Sequence, residues 1–93
     1  MRNTIQPADL GFFSTLAASG SLSAAARELG LTPAAVSKRL AQMESRSGVA
    51  LVNRTTRRMT LTPEGELYVE HARRILDEID ELSELLGATK EKP

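Results

Sequence analysis

The tightest constraint in this chain lies at residues 23–37, SAAARELGLTPAAVS, where two helix-forming runs are separated by almost nothing. An alanine-rich run ends at Leu29, and Gly30 stands where a helix C-terminus favours a left-handed residue. Only Leu31 intervenes before Thr32 and Pro33, an N-cap followed by a proline whose fixed φ suits the first helical position. Two helices joined by so short a glycine-containing turn form a helix-turn-helix.

The same punctuation divides the rest of the chain. Pro7 opens a first helix carrying Leu10, Phe13, Leu16 and Ala17 at helical spacing, and Gly20 closes it. Ser23 is the expected N-cap of the second helix, Ala24 to Leu29. The third runs from Pro33 to about Ser45 or Arg46, with Gly48 as its stop. Leu51-Val52 and Met59-Thr60-Leu61 are short strand-like pieces around Thr55-Thr56-Arg57, which reads as a hairpin wing. Thr62-Pro63 repeats the cap-plus-proline signature and starts a long fourth helix, expected to run to Leu86 and end at Gly87. The expected architecture is therefore mainly α. Residues 1–62 form a winged helix-turn-helix of three helices and a two-stranded β-hairpin, residues 63–87 a linker helix, and residues 88–93 a polar linker.

Ninety-three residues suit one domain with a small core. The chain has no cysteine, which excludes disulfides and thiolate metal sites, and His71 is its only histidine. No metal site, secretory signal, membrane span or GxSxG, P-loop or HExxH motif is present, so the expectation is a cytoplasmic, non-enzymatic protein.

Formal net charge is zero, but the charges are segregated. Residues 27–58 hold seven bases against two acids, a net +5, whereas residues 64–84 hold eight acids against two bases, a net −6. Such asymmetry points to different surfaces for different partners. On the third helix Val36, Leu40 and Met43 form the inward stripe, while Ala34, Lys38, Ala41, Gln42 and Ser45 face outward with Ser37 at the edge. Small outward residues let a helix backbone approach base edges in the major groove, and Lys38 and Gln42 can donate to them. Ser23 and Thr32, near helix N-termini, fit phosphate contact. Arg54, Arg57 and Arg58 crowd the hairpin and suit phosphate or minor-groove contact. Taken singly, these features also fit a packed helical pair with a solvated basic surface.

In combination, the residues resemble the amino-terminal domain of LysR-type bacterial transcription regulators. The resemblance rests on Phe13, Gly20-Ser21, Ala25-Ala26, Leu29, the segment from Thr32 to Ser37, Leu40, Glu44, Gly48, Leu51, Arg54, Arg58, Leu61-Thr62 and Gly65. It implies a winged helix-turn-helix, a linker helix paired with its twin, and a double-stranded DNA operator with dyad symmetry. It also implies an effector domain beyond residue 93 that takes a small-molecule co-inducer, so that this chain is expected to be a piece of a longer protein with no cofactor of its own, a natural single-domain relative being the alternative. By position, the third helix would make contact through Thr32, Pro33, Ala34, Ser37, Lys38 and Gln42, and the wing through Arg54, Arg57 and Arg58. Many members carry glutamine where this chain has Pro33, and glutamine or histidine where it has Arg39. The substitution at Pro33 shifts the expected readout toward Lys38 and Arg39, although Arg39 falls nearer the buried flank of the helix.

On the fourth helix Tyr68, Ala72, Ile75, Ile79, Leu82 and Leu86 are spaced 4, 3, 4, 3, 4, a heptad seam expected to pair two copies. Packing on its own domain is the other reading of that seam. A helical interaction adaptor without DNA binding is the other reading of the chain as a whole.

Overall fold

The structure, a computed structural model, describes residues 4–54 and 58–91. Its elements are α1 (Pro7–Ser19), α2 (Leu22–Leu29), α3 (Pro33–Ser47), β1 (Val52–Asn53), β2 (Thr60–Leu61) and α4 (Pro63–Glu91). The mainly helical winged helix-turn-helix expected from the sequence is the fold observed.

The turn that constrained the sequence reading forms as expected. Gly30 is left-handed at φ 67°, which a residue with a Cβ tolerates poorly, and Leu31 N–H donates to the Ala26 carbonyl at 2.9 Å. Thr32 Oγ1 then accepts from Ala35 N–H at 3.1 Å and caps α3.

The start of α2 differs from the expectation. The cap is Ser21, whose hydroxyl accepts from Ala24 N–H at 3.1 Å, and Ser23 lies inside the first turn with an exposed side chain. Starting the helix at Leu22 places Leu22, Ala25, Ala26 and Leu29 at i, i+3, i+4 and i+7, so all four face the core. A start at Ala24 would leave Leu22 outside that stripe.

Val36, Leu40 and Met43 of α3 pack inward beside Phe12, Phe13 and Leu16 of α1. The wing is a minimal antiparallel pair, Val52 opposite Leu61 and Asn53 opposite Thr60. Each strand begins one residue later than expected, at Val52 and Thr60, and Leu51 N–H donates to the Glu44 carboxylate at 2.7 Å. Thr55, Thr56 and Arg57, the expected hairpin tip, lie outside the described residues.

Thr62 caps α4 by accepting from Gly65 N–H at 3.0 Å, and its hydroxyl donates to the Ala50 carbonyl at 2.7 Å. The first turns of α4 belong to the core: Val69 and Ala72 are buried, and the Tyr68 ring meets Phe13 edge-on at 4.9 Å. Gly87 does not end the helix, which continues to Glu91. A mid-helix glycine costs only about 1 kcal/mol against alanine, and Ala88, Lys90 and Glu91 beyond it are good helix formers. Twenty-nine residues make α4 about 43 Å long, and its distal half leaves the globular part. The radius of gyration, 15.4 Å, accordingly exceeds the roughly 12 Å of a compact chain this size. No helix among the described residues is long and apolar enough to cross a membrane.

Candidate nucleic-acid interface

The outward face of α3 carries Ala34, Lys38, Ala41, Gln42 and Ser45, all exposed, with Ser37 half-buried at its edge. Thr32 and Pro33 are exposed at its N-terminal tip. The inward stripe fixes this orientation, since Val36 and Leu40 are 0% and 1% exposed and the helix cannot roll without exposing them. Lys38 forms no ion pair among the described residues, so its ammonium is available to a ligand.

A cleft of about 400 Å³ separates the start of α2 from the wing, and both Ser23 and Arg54 line it together with Ser21 and Asn53. Two candidate residues thirty-one positions apart are thus brought to one opening. Arg58 is exposed on the wing, and Arg57 lies outside the described residues.

Arg39 is placed differently from the other candidates. Its Nε donates to Asp9 Oδ1 at 3.1 Å, its Nη2 to the Ala8 carbonyl at 3.0 Å, and its guanidinium lies 4.4 Å from the centroid of the Phe12 ring. The flank suggested by the helical wheel is where it sits, turned toward α1.

Glu44, in the sequence only a point of family resemblance, organises the base of the wing. Its carboxylate accepts from Leu51 N–H at 2.7 Å, Val52 N–H at 3.3 Å and Arg54 at 2.6 Å, and so ties the base of the wing to α3. Burial pushes its carboxyl up, but these hydrogen bonds and the Arg54 charge outweigh burial and hold it below its ordinary value of 4.5. A carboxyl lowered by folding stabilises the fold above its unfolded value, and that contribution is lost as pH falls through the lowered one. Glu44→Gln is therefore expected to lower stability at pH 7 by about 1 kcal/mol, the difference between charged and neutral acceptors. Thermal melts of both proteins should show that gap narrowing below pH 4.5, and a gap independent of pH would remove the charge from the account.

The heptad seam is divided by the fold. Tyr68 and Ala72 pack on their own domain, whereas Ile75, Ile79, Leu82 and Leu86 are 45–63% exposed. Asp9, Glu44 and Arg46 were not singled out as partners from the sequence, because Asp9 meets Arg39 and Arg46 across separations of 30 and 37 residues.

Known proteins share both the sequence and the fold. Residues 7–66 match the profile of the bacterial regulatory helix-turn-helix proteins, lysR family. An uncharacterised HTH-type transcriptional regulator of Mycobacterium tuberculosis is 51% identical over 78 residues, covering 84% of this chain and 25% of that protein. The HTH-type transcriptional regulator DmlR of Escherichia coli is 42% identical over 85 residues, covering 91% of this chain and 28% of that protein. The chain spans about a quarter of the length of these curated relatives. Among solved structures, the BenM DBD in complex with benA site 1 DNA has the same fold, with a TM-score of 0.88 over 96% of this chain and 100% of that one at 21% identity. The CbnR DBD–DNA complex superposes with a TM-score of 0.82 over 94% of this chain and 100% of that one at 28% identity.

Proposed function

The chain belongs to the LysR family of bacterial regulatory helix-turn-helix proteins, and from that premise we propose that it binds double-stranded DNA sequence-specifically and regulates transcription. It acts by binding rather than by catalysis, in the cytoplasm. The helix α3 enters the major groove, where Ser37, Lys38 and Gln42 meet base edges and Thr32, Pro33 and Ala34 approach at its tip. Ser23, Arg54, Arg57 and Arg58 contact the phosphate backbone from either side. Two copies pair through the exposed part of α4 and address an operator with dyad symmetry, while a small-molecule co-inducer acts through sequence beyond this chain.

The observation that carries this reading is the outward face of α3. It is small and polar, it is locked outward by a buried stripe, and it keeps Lys38 unpaired among the described residues. The similar CbnR DBD, solved in complex with DNA, supports DNA binding.

Selection from a random DNA pool would give the preferred site, and titrations at several salt concentrations would test the roles. Lys38→Ala is expected to cost about 1–3 kcal/mol on the preferred site and to relax preference at one base pair. Arg54→Ala is expected to weaken binding to every sequence and to lower the salt slope by less than the roughly 0.9 of a free cation, because its guanidinium is shared with the Glu44 carboxylate. Unchanged affinity in both variants would overturn the assignment. A folded parent that binds no duplex at low salt would instead favour a protein-interaction adaptor.

A further inference from the structure

Asp9 is the only buried charged side chain among the described residues, at 4% exposure. It sits in the first turn of α1, and its two carboxylate oxygens are divided between two arginines of α3. Oδ1 accepts from Arg39 at 3.1 Å and Oδ2 accepts from Arg46. Arg39 is further held by the Ala8 carbonyl and the Phe12 ring. The helix α3 carries three cations, Lys38, Arg39 and Arg46, and Asp9 pairs with the last two on the flank turned toward α1.

We propose that Asp9 is a specificity-determining positioning residue, an internal counter-ion that withholds Arg39 and Arg46 from DNA phosphate. The inference rests on the DNA-binding reading above. Cations on phosphates supply affinity without sequence information, and each phosphate neutralised adds about 0.9 to the salt slope. A regulator is selective through the ratio between its preferred site and all other sequences, so surplus cations near the reading face lower that ratio. Carboxylate and phosphate present similar oxygen geometry to a guanidinium, which makes Asp9 an effective competitor for these two arginines. The cluster is not the only tie between α1 and α3, because Phe12, Phe13 and Leu16 belong to the same apolar core as Val36, Leu40 and Met43. Buried ion pairs add little net stability over apolar residues of similar size, which leaves charge placement as the distinctive effect.

The test is binding of the protein to a random-sequence duplex and to its selected site across a salt series. Asp9→Asn is expected to steepen the salt slope on random DNA by about one to two and to lower the ratio of selected to random affinity. Adding Arg39→Gln to Asp9→Asn is expected to return about one of that increase. A folded Asp9→Asn protein with the parent slope would overturn the proposal. Should Asp9→Asn fail to fold, Arg46→Gln alone decides the matter. A slope on random DNA equal to that of the parent supports the proposal, and a slope flatter by about one overturns it, because Arg46 would already be on phosphate. A parent that binds no duplex overturns the DNA-binding reading as well, whereas a binding parent with either contrary slope overturns this inference alone.

Discussion

Replacing Gly65 with alanine is expected to destabilise the fold by about 3 kcal/mol, the upper part of the range for overpacking a well-filled site. A Cβ at Gly65 would stand 2.0 Å from the Leu51 carbonyl oxygen and 3.0 Å from its carbon, and both are backbone atoms that cannot rotate away. The same carbonyl accepts from Thr62 N–H at 3.1 Å, and Leu51 N–H is held by Glu44, so this stretch of chain is fixed on both sides. The first turn of α4 must move as a body to admit the methyl group, and the Thr62 cap and the Tyr68–Phe13 contact would shift with it. For a domain this small, 3 kcal/mol corresponds to a loss of roughly 12–24 °C in Tm. Gly11, which has open space around the same position, is the control: Gly11→Ala is expected to hold or raise Tm, since alanine is the better helix former. Equal melting temperatures for Gly65→Ala and the parent would show that the close approach imposes no cost.

Ile79→Glu is expected to weaken self-association at least 100-fold, which corresponds to about 3 kcal/mol. Ile79, Leu82, Leu85 and Leu86 are 53–63% exposed in a single copy, on a part of α4 that has left the globular domain. Burying such side chains is worth about 1.5–3 kcal/mol each, whereas a carboxylate taken from water into an apolar seam costs several kcal/mol. Sedimentation of parent and variant over a wide concentration range would check this. A parent that is monomeric at high concentration would remove the pairing, and a variant that associates as tightly as the parent would move the interface elsewhere.

The helix-turn-helix was legible because local chemistry decides it. Left-handed Gly20, Gly30 and Gly48 and the caps at Thr32 and Thr62 involve residues a few positions apart, so sequence order carries the signal. The cap of α2 was misplaced because two serines precede the same alanine run, and local propensity does not choose between them; burial of Leu22 does. Gly87 misled for a related reason. Glycine ends a helix when the chain turns away in a left-handed conformation, and positive φ occurs only at Gly20, Gly30 and Gly48 among the described residues. The candidate interface was legible as far as one helical wheel reaches, which covers Ser37, Lys38 and Gln42. What remained hidden was the pairing of Arg39 with Asp9 and of Glu44 with the wing, since those contacts exist only once separate elements have packed.

The run of α4 past the globular domain has a metric consequence for a paired molecule. The buried contacts of Gly65, Tyr68, Val69 and Ala72 fix the near end of this rod to the head that carries α3. The distance between two heads is then set by the point at which their rods cross, as on a graduated ruler. A slip of one heptad moves one head by about 10.5 Å along the rod. That is the axial rise of roughly three base pairs and about 100° of turn around the duplex. In such a pair, the spacing of two bound sites would be recorded in apolar residues of α4 rather than in the residues of α3.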